Sequence, residues 1–459
     1  MRGPVLIANR GEIACRIAAT CRRMGLPSIA VFSEADAEAL HVAAADRAEP
    51  IGPAHPSQSY LSVPALLEAA RRSGARMVHP GYGFLSENAE FAEACADAGL
   101  TFIGPPPAAI RAMGSKAAAK AVARRAGVAA VPGYDGEDQS DTRLLAAAQE
   151  IGFPMLIKAV AGGGGRGMRS VASAEEFPAS LAAARREAMS FGDSRVLVEK
   201  LIPRARHIEV QILADTGGKV LHLGERDCTL QRRHQKLVEE SPAPGLDAAL
   251  RAELGRRAIA LAEAVGYVGA GTVEFVAEAG DAPTAERIWF IEMNTRLQVE
   301  HPVTEMVTGL DLVEWQIRVA GGEALPWAQD AVRLEGHAVE ARLCAEDPAR
   351  NFLPSPGRLQ ALALPEARPG LRIDTGVREG DTLTPFYDPM IAKVIAHAPT
   401  RAEALTKLAA ALDRCSASGV RLNAGFLAAA LRSPEMAAGQ VDTHFLDRAR
   451  AGLLAATAA

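Results

Sequence analysis

AGGGGRGMRS, residues 161–170, fits the spacing G-x-G-x-x-G through Gly162, Gly164 and Gly167, the pattern of a dinucleotide-binding turn. Such a turn needs a helix directly after it, whose N-terminus meets the pyrophosphate. Here the following MRSVAS reads as a strand, and so does PMLIKAV before the glycines. Strand, glycine-rich turn and strand make a hairpin flap that can lie over phosphates through its backbone N–H groups. Each glycine costs roughly 0.5–1 kcal/mol relative to alanine in ordered structure, so a run of them in a mere link is costly. A flexible surface turn is the competing reading. Lys158, at the end of PMLIKAV, is a compact cation suited to phosphate oxygens, or else a side chain reaching solvent. The VEK that ends the strand SRVLVEK, residues 194–200, is where an adenine can pair with backbone amides and a ribose with a carboxylate.

Outward from the flap, 131–200 forms a small unit behind the hinge-like VPGYDGEDQSD. The first hundred residues alternate strands (PVLIAN, PSIAVFS, ARMVHPG, LTFIGP) with helical patterns such as EIACRIAATCRRMG, which predicts a doubly wound parallel sheet. SENAEFAEACADAG is predicted as a helix with Ser86 as cap, Glu87 in its first turn and Gly99 past its end. From 203 to about 325 the pattern is antiparallel strands with one long helix, and later antiparallel strands precede two helices. The expected division is a doubly wound domain at 1–114, a region at 115–325 carrying the lid at about 131–200, an antiparallel-sheet domain at 326–446 and a tail at 447–459.

Length and charge limit the function. At 459 residues the chain exceeds one core. A net charge of -5 argues against nucleic-acid or membrane-surface partners, whose footprint is basic. Six scattered cysteines without paired spacing read as reduced thiols in a cytoplasmic protein. The short apolar run after Met1 is no signal peptide, and no 18-residue apolar stretch occurs.

Two further stretches carry chemistry. GTVEFV and IWFIEMN are alternating strands around AEAGDAPTAER. Period two puts Thr272, Glu274 and Val276 on one face, and Ile288, Phe290, Glu292 and Asn294 on one face of the partner. Paired as a hairpin, they bring Glu274, Glu292 and Asn294 together. Facing carboxylates repel, and oxygen-rich convergence suits Mg²⁺ or Mn²⁺ with substrate phosphates; a charged edge hairpin is the alternative. Arg296 and Glu300, just beyond, extend that site toward a second substrate: arginine's planar fork fits carboxylate, bicarbonate or phosphate, and Glu300 can act as general base. RDCTLQRRHQK packs Arg232, Arg233, His234 and Lys236 into five positions, a solvated loop when alone and an anion clamp beside a metal–nucleotide site.

HPGYGFLSEN (79–88), KAVAGGGGRGMR (158–169), RDCTLQRRHQK (226–236), EMNTRLQVEHPVTE (292–305) and EARLCAEDP (340–348) together closely resemble biotin carboxylase, the ATP-grasp component of biotin-dependent acyl-CoA carboxylases. The resemblance runs from ANRGEIA to beyond FYDPMIAKVI and implies the ATP-grasp fold, an α/β and α+β architecture. It implies that ATP phosphorylates bicarbonate to carboxyphosphate, which breaks down to CO₂ and a phosphate that takes the N1 proton of biotin. By motif, Lys116, Lys158, Gly164, Gly165, Glu199, Lys200, Ile202, His207 and His234 would hold ATP. Glu274, Glu292 and Asn294 would bind two Mg²⁺ or Mn²⁺ ions. Lys236, Arg296, Gln298 and Val299 would hold bicarbonate, with Glu300 as its base. Arg342 would stabilise the biotin enolate, with Tyr82 near the biotin.

Ala161 replaces a glycine common in the family, and residues 275–291 make a longer hairpin than in its shorter members. Neither departure touches a chemical group. Without a Met-Lys-Met tripeptide, biotin is expected on a separate carrier protein or domain. A carboxyltransferase subunit and a homodimer are the further implied partners. Another ATP-grasp carboxylate ligase is the competing enzyme, and the C-terminal part leans toward the methylcrotonyl- or propionyl-type α chains.

Overall fold

The computed structural model describes residues 3–160, 167–190, 192–280 and 283–458; Gly164 and Gly165 lie outside the described residues. Strands β1 (Val5–Ile7), β2 (Ser28–Ser33), β3 (Arg47–Gly52), β4 (Met77–His79) and β5 (Thr101–Phe102) form a sheet in the order β3-β2-β1-β4-β5. All its pairs are parallel, as the strand–helix alternation predicts. The helix Gly11–Arg23 buries Ile13, Ala14, Ile17, Ala18 and Cys21, an apolar stripe at helical spacing that faces the sheet.

The helix expected from Ser86 begins later. Asn88 is its cap, accepting from the Phe91 N–H at 2.7 Å, and the helix runs Ala89–Asp97. Asparagine caps as well as serine does, and this start puts Phe91, Ala92 and Cys95 on the buried face. Glu87 therefore stands outside the first turn, free to reach another element. Gly99, at φ +72, closes the helix end as expected.

The segment expected as the lid is a four-stranded antiparallel sheet, β6 (Gly133–Tyr134), β9 (Val196–Lys200), β7 (Met155–Ala159) and β8 (Met168–Val171), in the order β6-β9-β7-β8. The flap hairpin is present, with Ile157 opposite Arg169 and Lys158 opposite Met168. The strand after the glycines excludes the dinucleotide turn.

One antiparallel sheet of eight strands then carries most of the remaining chain. It comprises β10 (Ala205–Ala214), β11 (Val220–Arg232), β12 (Gln235–Ser241), β13 (Gly269–Glu278), β14 (Ile288–Asn294), β15 (His337–Cys344), β16 (Leu371–Thr375) and β17 (Met390–Ala398). The order is β14-β13-β10-β11-β12-β15-β17-β16. Because β12 pairs directly with β15, the sheet crosses the boundary expected at 326 without a break. Helix Ala248–Ala264 packs Leu254, Ala258 and Leu261 on one face, against Val273, Phe275 and Phe290.

Two helices, His301–Thr308 and Leu312–Ala320, stand in the region expected to hold strands and a single helix. Pro302 lies in the first turn of the former, and Gly309 at φ +71 ends it. The expected tail is the helix Phe445–Ala458, whose Phe445, Leu446 and Leu453 join the C-terminal core. Among the described residues no helix is long and apolar enough to cross a membrane. All six cysteines are free thiols, five of them buried.

Candidate active site

The hairpin β13–β14 forms in nearly the expected register, with Thr272 opposite Asn294 and Glu274 opposite Glu292. One residue later the register slips, and Phe275 faces Phe290. Ile291 is thus a β-bulge, which corrects the face assignment. Ile288 and Phe290 point into the core, Phe290 meeting Phe275 edge-on at 6.4 Å between ring centroids. Glu292 and Asn294 turn the other way, onto a cavity of about 1160 Å³ that also takes in the lid strands. A bulge at this point lets one strand give apolar residues to the core and ligands to the site.

Below the cavity a row of charge crosses four strands: Arg226 on β11 lies opposite Glu209 on β10, Glu209 opposite Glu274 on β13, and Glu274 opposite Glu292 on β14. Like charges directly opposite one another destabilise a sheet, so the row needs cations. Fully buried Arg226 donates to Glu209 at 2.6 Å, Gln211 at 2.7 Å and Thr304 at 2.8 Å. Lys236 reaches in from β12 to Glu209 at 2.5 Å, Glu300 at 2.6 Å and Glu274 at 2.8 Å. That ammonium fills the space where Glu209, Glu274 and Glu300 converge. His207 adds a contact to Glu274 at 3.0 Å.

At the far end Glu292 makes no hydrogen bond or ion pair among the described residues. Burial and the repulsion of Glu274 push its carboxyl up from the ordinary value. Burial also pushes on Glu274, but Lys236 and His207 outweigh it and hold that carboxyl below the ordinary range. Asn294 donates to Glu274 at 2.8 Å. Two facing carboxylates, one lacking a cation, beside an amide oxygen fit a hard divalent ion.

Glu300 is the residue just before helix His301–Thr308, where the backbone N–H groups favour negative charge. Its oxygens meet Lys236 at 2.6 Å and Arg342 at 3.0 Å. Burial opposes ionisation, yet Lys236, Arg342 and Arg226 together hold it well below the ordinary range. Arg342 is also gripped by Glu239, at 2.6 Å through Nε. Arg342 therefore shares a salt bridge with Glu300 rather than entering from a separate side.

Arg296 donates to Gln298 at 2.7 Å, Glu87 at 2.8 Å and Asn294 at 3.1 Å. Glu87 also accepts from the Thr295 N–H at 3.0 Å. Val299 presents its carbonyl to fully buried Lys393 at 2.9 Å. On the lid side, Lys158 and Lys120 both ion-pair with Glu199. Burial pushes Glu199 up, but the two lysines hold it at about 2. Glu199 is thus tied by lysines rather than presented free to a ribose.

Lys116, Lys158, Glu199, Lys200, Ile202, His207, His234, Lys236, Glu274, Glu292, Asn294, Arg296, Gln298, Val299, Glu300 and Arg342 all line this one cavity. Tyr82 does not: its hydroxyl donates to Glu12, and its ring lies 5.9 Å from the Lys393 ammonium. The basic cluster also divides. Arg233 and His234, at φ 48 and 67, make the two-residue turn between β11 and β12, a conformation usually left to glycine and asparagine. Such strain, about 1–2 kcal/mol per residue, persists where surrounding structure enforces it. Arg233 and His234 thereby reach the cavity, whereas Arg232 turns away and lies 4.5 Å from the Phe352 ring centroid.

Sequence reasoning missed Glu87, Lys120, Glu209, Arg226, Glu239 and Lys393. The alternation in ARHIEVQILA was the available signal for Glu209, but it reads equally as a solvent-facing strand.

Residues 1–110 match the biotin carboxylase N-terminal domain, 115–328 the carbamoyl-phosphate synthase L chain ATP-binding domain and 340–448 the biotin carboxylase C-terminal domain. The chain is 50% identical over 443 residues to a Nostoc biotin carboxylase, covering 96% of this chain and 98% of that one. It is 52% identical over 451 residues to the mouse mitochondrial methylcrotonoyl-CoA carboxylase subunit alpha, covering 98% of this chain but only 62% of that subunit. The biotin carboxylase domain dimer of Hydrogenobacter thermophilus 2-oxoglutarate carboxylase, solved with MgADP, ADP and bicarbonate, superposes with a TM-score of 0.94. It shares 42% identity, with 99% of each chain covered.

Proposed function

The chain belongs to the biotin carboxylase family, and from that premise we propose that it is an ATP-dependent ligase carboxylating N1 of biotin with bicarbonate, by way of carboxyphosphate. One observation carries the reading: Lys236, Arg296, Glu300 and Arg342 crowd beside the facing pair Glu274 and Glu292 on a single cavity. An anion site directly against a metal–nucleotide site is what phosphorylation of bicarbonate requires.

Each group has a task that follows from its surroundings. Lys116, Lys158 and His234 bind ATP phosphates, while Lys200 at the end of β9 and Ile202 just beyond it border the base. Glu274, Glu292 and Asn294 would hold divalent ions, whose positive charge would offset that of the phosphates. Arg296 is kept extended by Glu87 and Gln298 and presents its one remaining N–H, on Nη2, to bicarbonate, beside the Val299 backbone. Glu300, held ionised, takes the bicarbonate proton as the bicarbonate oxygen attacks the γ-phosphorus and the bond to ADP breaks. Lys236 turning from Glu300 to the anion raises the basicity of that carboxylate at the moment it is needed. Carboxyphosphate then divides into CO₂ and phosphate, the phosphate removes the N1 proton, and N1 attacks CO₂. Arg342 faces the enolate oxygen of biotin, where one such donor typically contributes about 10²–10³-fold in rate.

The family premise and the likeness to acyl-CoA carboxylase subunits support biotin borne on a carrier and a carboxyltransferase partner, and the likeness to the Hydrogenobacter domain dimer supports a homodimer. They also support an acyl-CoA of the methylcrotonyl or propionyl type as final acceptor. A cytoplasmic location completes the reading. Bicarbonate-dependent ATP cleavage stimulated by free biotin is the deciding assay. ATP cleavage that requires a different carboxylate and ignores bicarbonate would instead establish another ligase of the same fold.

A further inference from the structure

Glu340, on β15, is wholly inaccessible to solvent, and neither of its carboxyl oxygens has a hydrogen-bond partner among the described residues. Its cross-strand neighbour is Glu239 on β12, also wholly buried. Glu239 gives Oε1 to Arg342, but its Oε2 has no partner among the described residues. Directly opposed residues of an antiparallel pair lie on one face with Cβ atoms about 4.5–5.5 Å apart, so the two carboxyl groups are within reach of each other. On its other side Glu340 is opposite Ile395, which packs with Val303 and Val307 of the helix His301–Thr308.

We propose that Glu340 is held as a carboxylic acid that gives its proton to the free oxygen of Glu239, and that this pair is a positioning device aiming Arg342. Two adjacent carboxylates cannot both stay ionised out of water. One proton between them pairs one oxygen of Glu340 with the free oxygen of Glu239 and leaves Glu239 ionised. The ionised Glu239 then grips both Nε and Nη2 of Arg342, which holds Nη2 where it also reaches Glu300. Glu340 touches neither cavity nor substrate and acts only through Glu239.

The charged groups around the pair agree with a single shared proton. Arg342, Glu300 and Lys236 face Glu239, as does the Cys228 thiol; Lys393, Arg342 and Glu300 face Glu340. Burial raises the Glu340 carboxyl well above its ordinary value against the pull of Lys393, and it raises Glu239 to about 7 against that of Arg342. Folding therefore takes up a proton across neutral pH, and stability falls as pH rises.

The role of Arg342 rests on the function proposed above, so the test separates the two. Glu340→Gln keeps shape and a donor; Glu340→Met keeps length and removes the donor. Infrared difference spectra of wild type against Glu340→Gln at pH 8 are expected to show a carboxylic-acid carbonyl band in the wild type. Its urea midpoint should also fall from pH 5 to pH 8 relative to that variant. Glu340→Gln should carboxylate free biotin near the wild-type rate, whereas Glu340→Met should lose roughly 10²-fold, the scale of a displaced catalytic group, at unchanged KM for ATP. Absence of the band overturns the shared proton, and equal rates for the two variants overturn the positioning role. A wild-type protein that never carboxylates biotin refutes the proposed function instead, while the band and the pH slope still decide the pair.

Discussion

Lys236→Met removes one positive charge from beneath three carboxylates and keeps the length of the side chain. The ammonium lies 2.5 Å from Glu209, 2.6 Å from Glu300 and 2.8 Å from Glu274. Opposite unit charges about 4 Å apart attract by about 4 kcal/mol at an effective dielectric of 20. Three such attractions exceed the desolvation of one ammonium, so wild-type Lys236 is held charged. Stranding buried partners by removing one ion typically costs about 3–5 kcal/mol, and that is the destabilisation expected at pH 7.5 without added divalent ion.

The pH dependence has a definite sign. In the wild type Glu274 and Glu300 are held below the ordinary carboxylate range. Their contribution is therefore complete above the unfolded value near ~4.3 and fades as pH falls through the folded values. Without Lys236 those carboxyls shift upward, so the gap between the proteins narrows as pH falls below ~5, by about 1.4 kcal/mol per unit for each carboxyl that takes up a proton. Chemical unfolding at pH 7.5 and pH 5 measures both quantities. Bicarbonate-dependent ATP cleavage should be lost while an ATP analogue still binds. A variant as stable as the wild type at pH 7.5, with the same response to acid, would refute the charge balance described for the site.

Glu87→Ala should raise the KM for bicarbonate about tenfold, the equivalent of ~1.4 kcal/mol for a half-exposed charged hydrogen bond, with little change in ATP affinity; steady-state kinetics decide, and an unchanged KM removes Glu87 from the site. Arg342→Ala should slow biotin carboxylation about 10²–10³-fold and, because it also frees one oxygen of Glu300, lower but not abolish biotin-independent ATP cleavage. Glu300→Ala should abolish both activities, and equal loss in the two variants would assign Arg342 to the first step. Amide exchange along Met168–Val171 should slow when an ATP analogue and Mg²⁺ are added, as a lid that excludes water demands; an unchanged rate argues against closure over phosphate.

Local order was legible in the chain before folding was considered. The parallel sheet, the hairpin after the glycine run, the capped helices and the convergence of Glu274, Glu292 and Asn294 all follow from periodicity and turn chemistry among near neighbours. Even there the limits are local. Ser86 and Asn88 are both good caps, and only the packing of Phe91, Ala92 and Cys95 chose Asn88. The bulge at Ile291 broke period two, because an apolar strand that both fills a core and furnishes a site must reverse its faces once.

The balance of charge belongs to the tertiary structure alone. Glu87 reaches Thr295 and Arg296 across more than two hundred positions, and Glu239 reaches Arg342 across about a hundred. In the sequence Glu87 and Glu239 are ordinary surface charges. Burial makes an unpaired charge costly, and pairing it depends on which strands lie side by side. No repeat along the chain records that order: it is decided when β12 pairs with β15 and Glu340 comes to rest opposite Glu239.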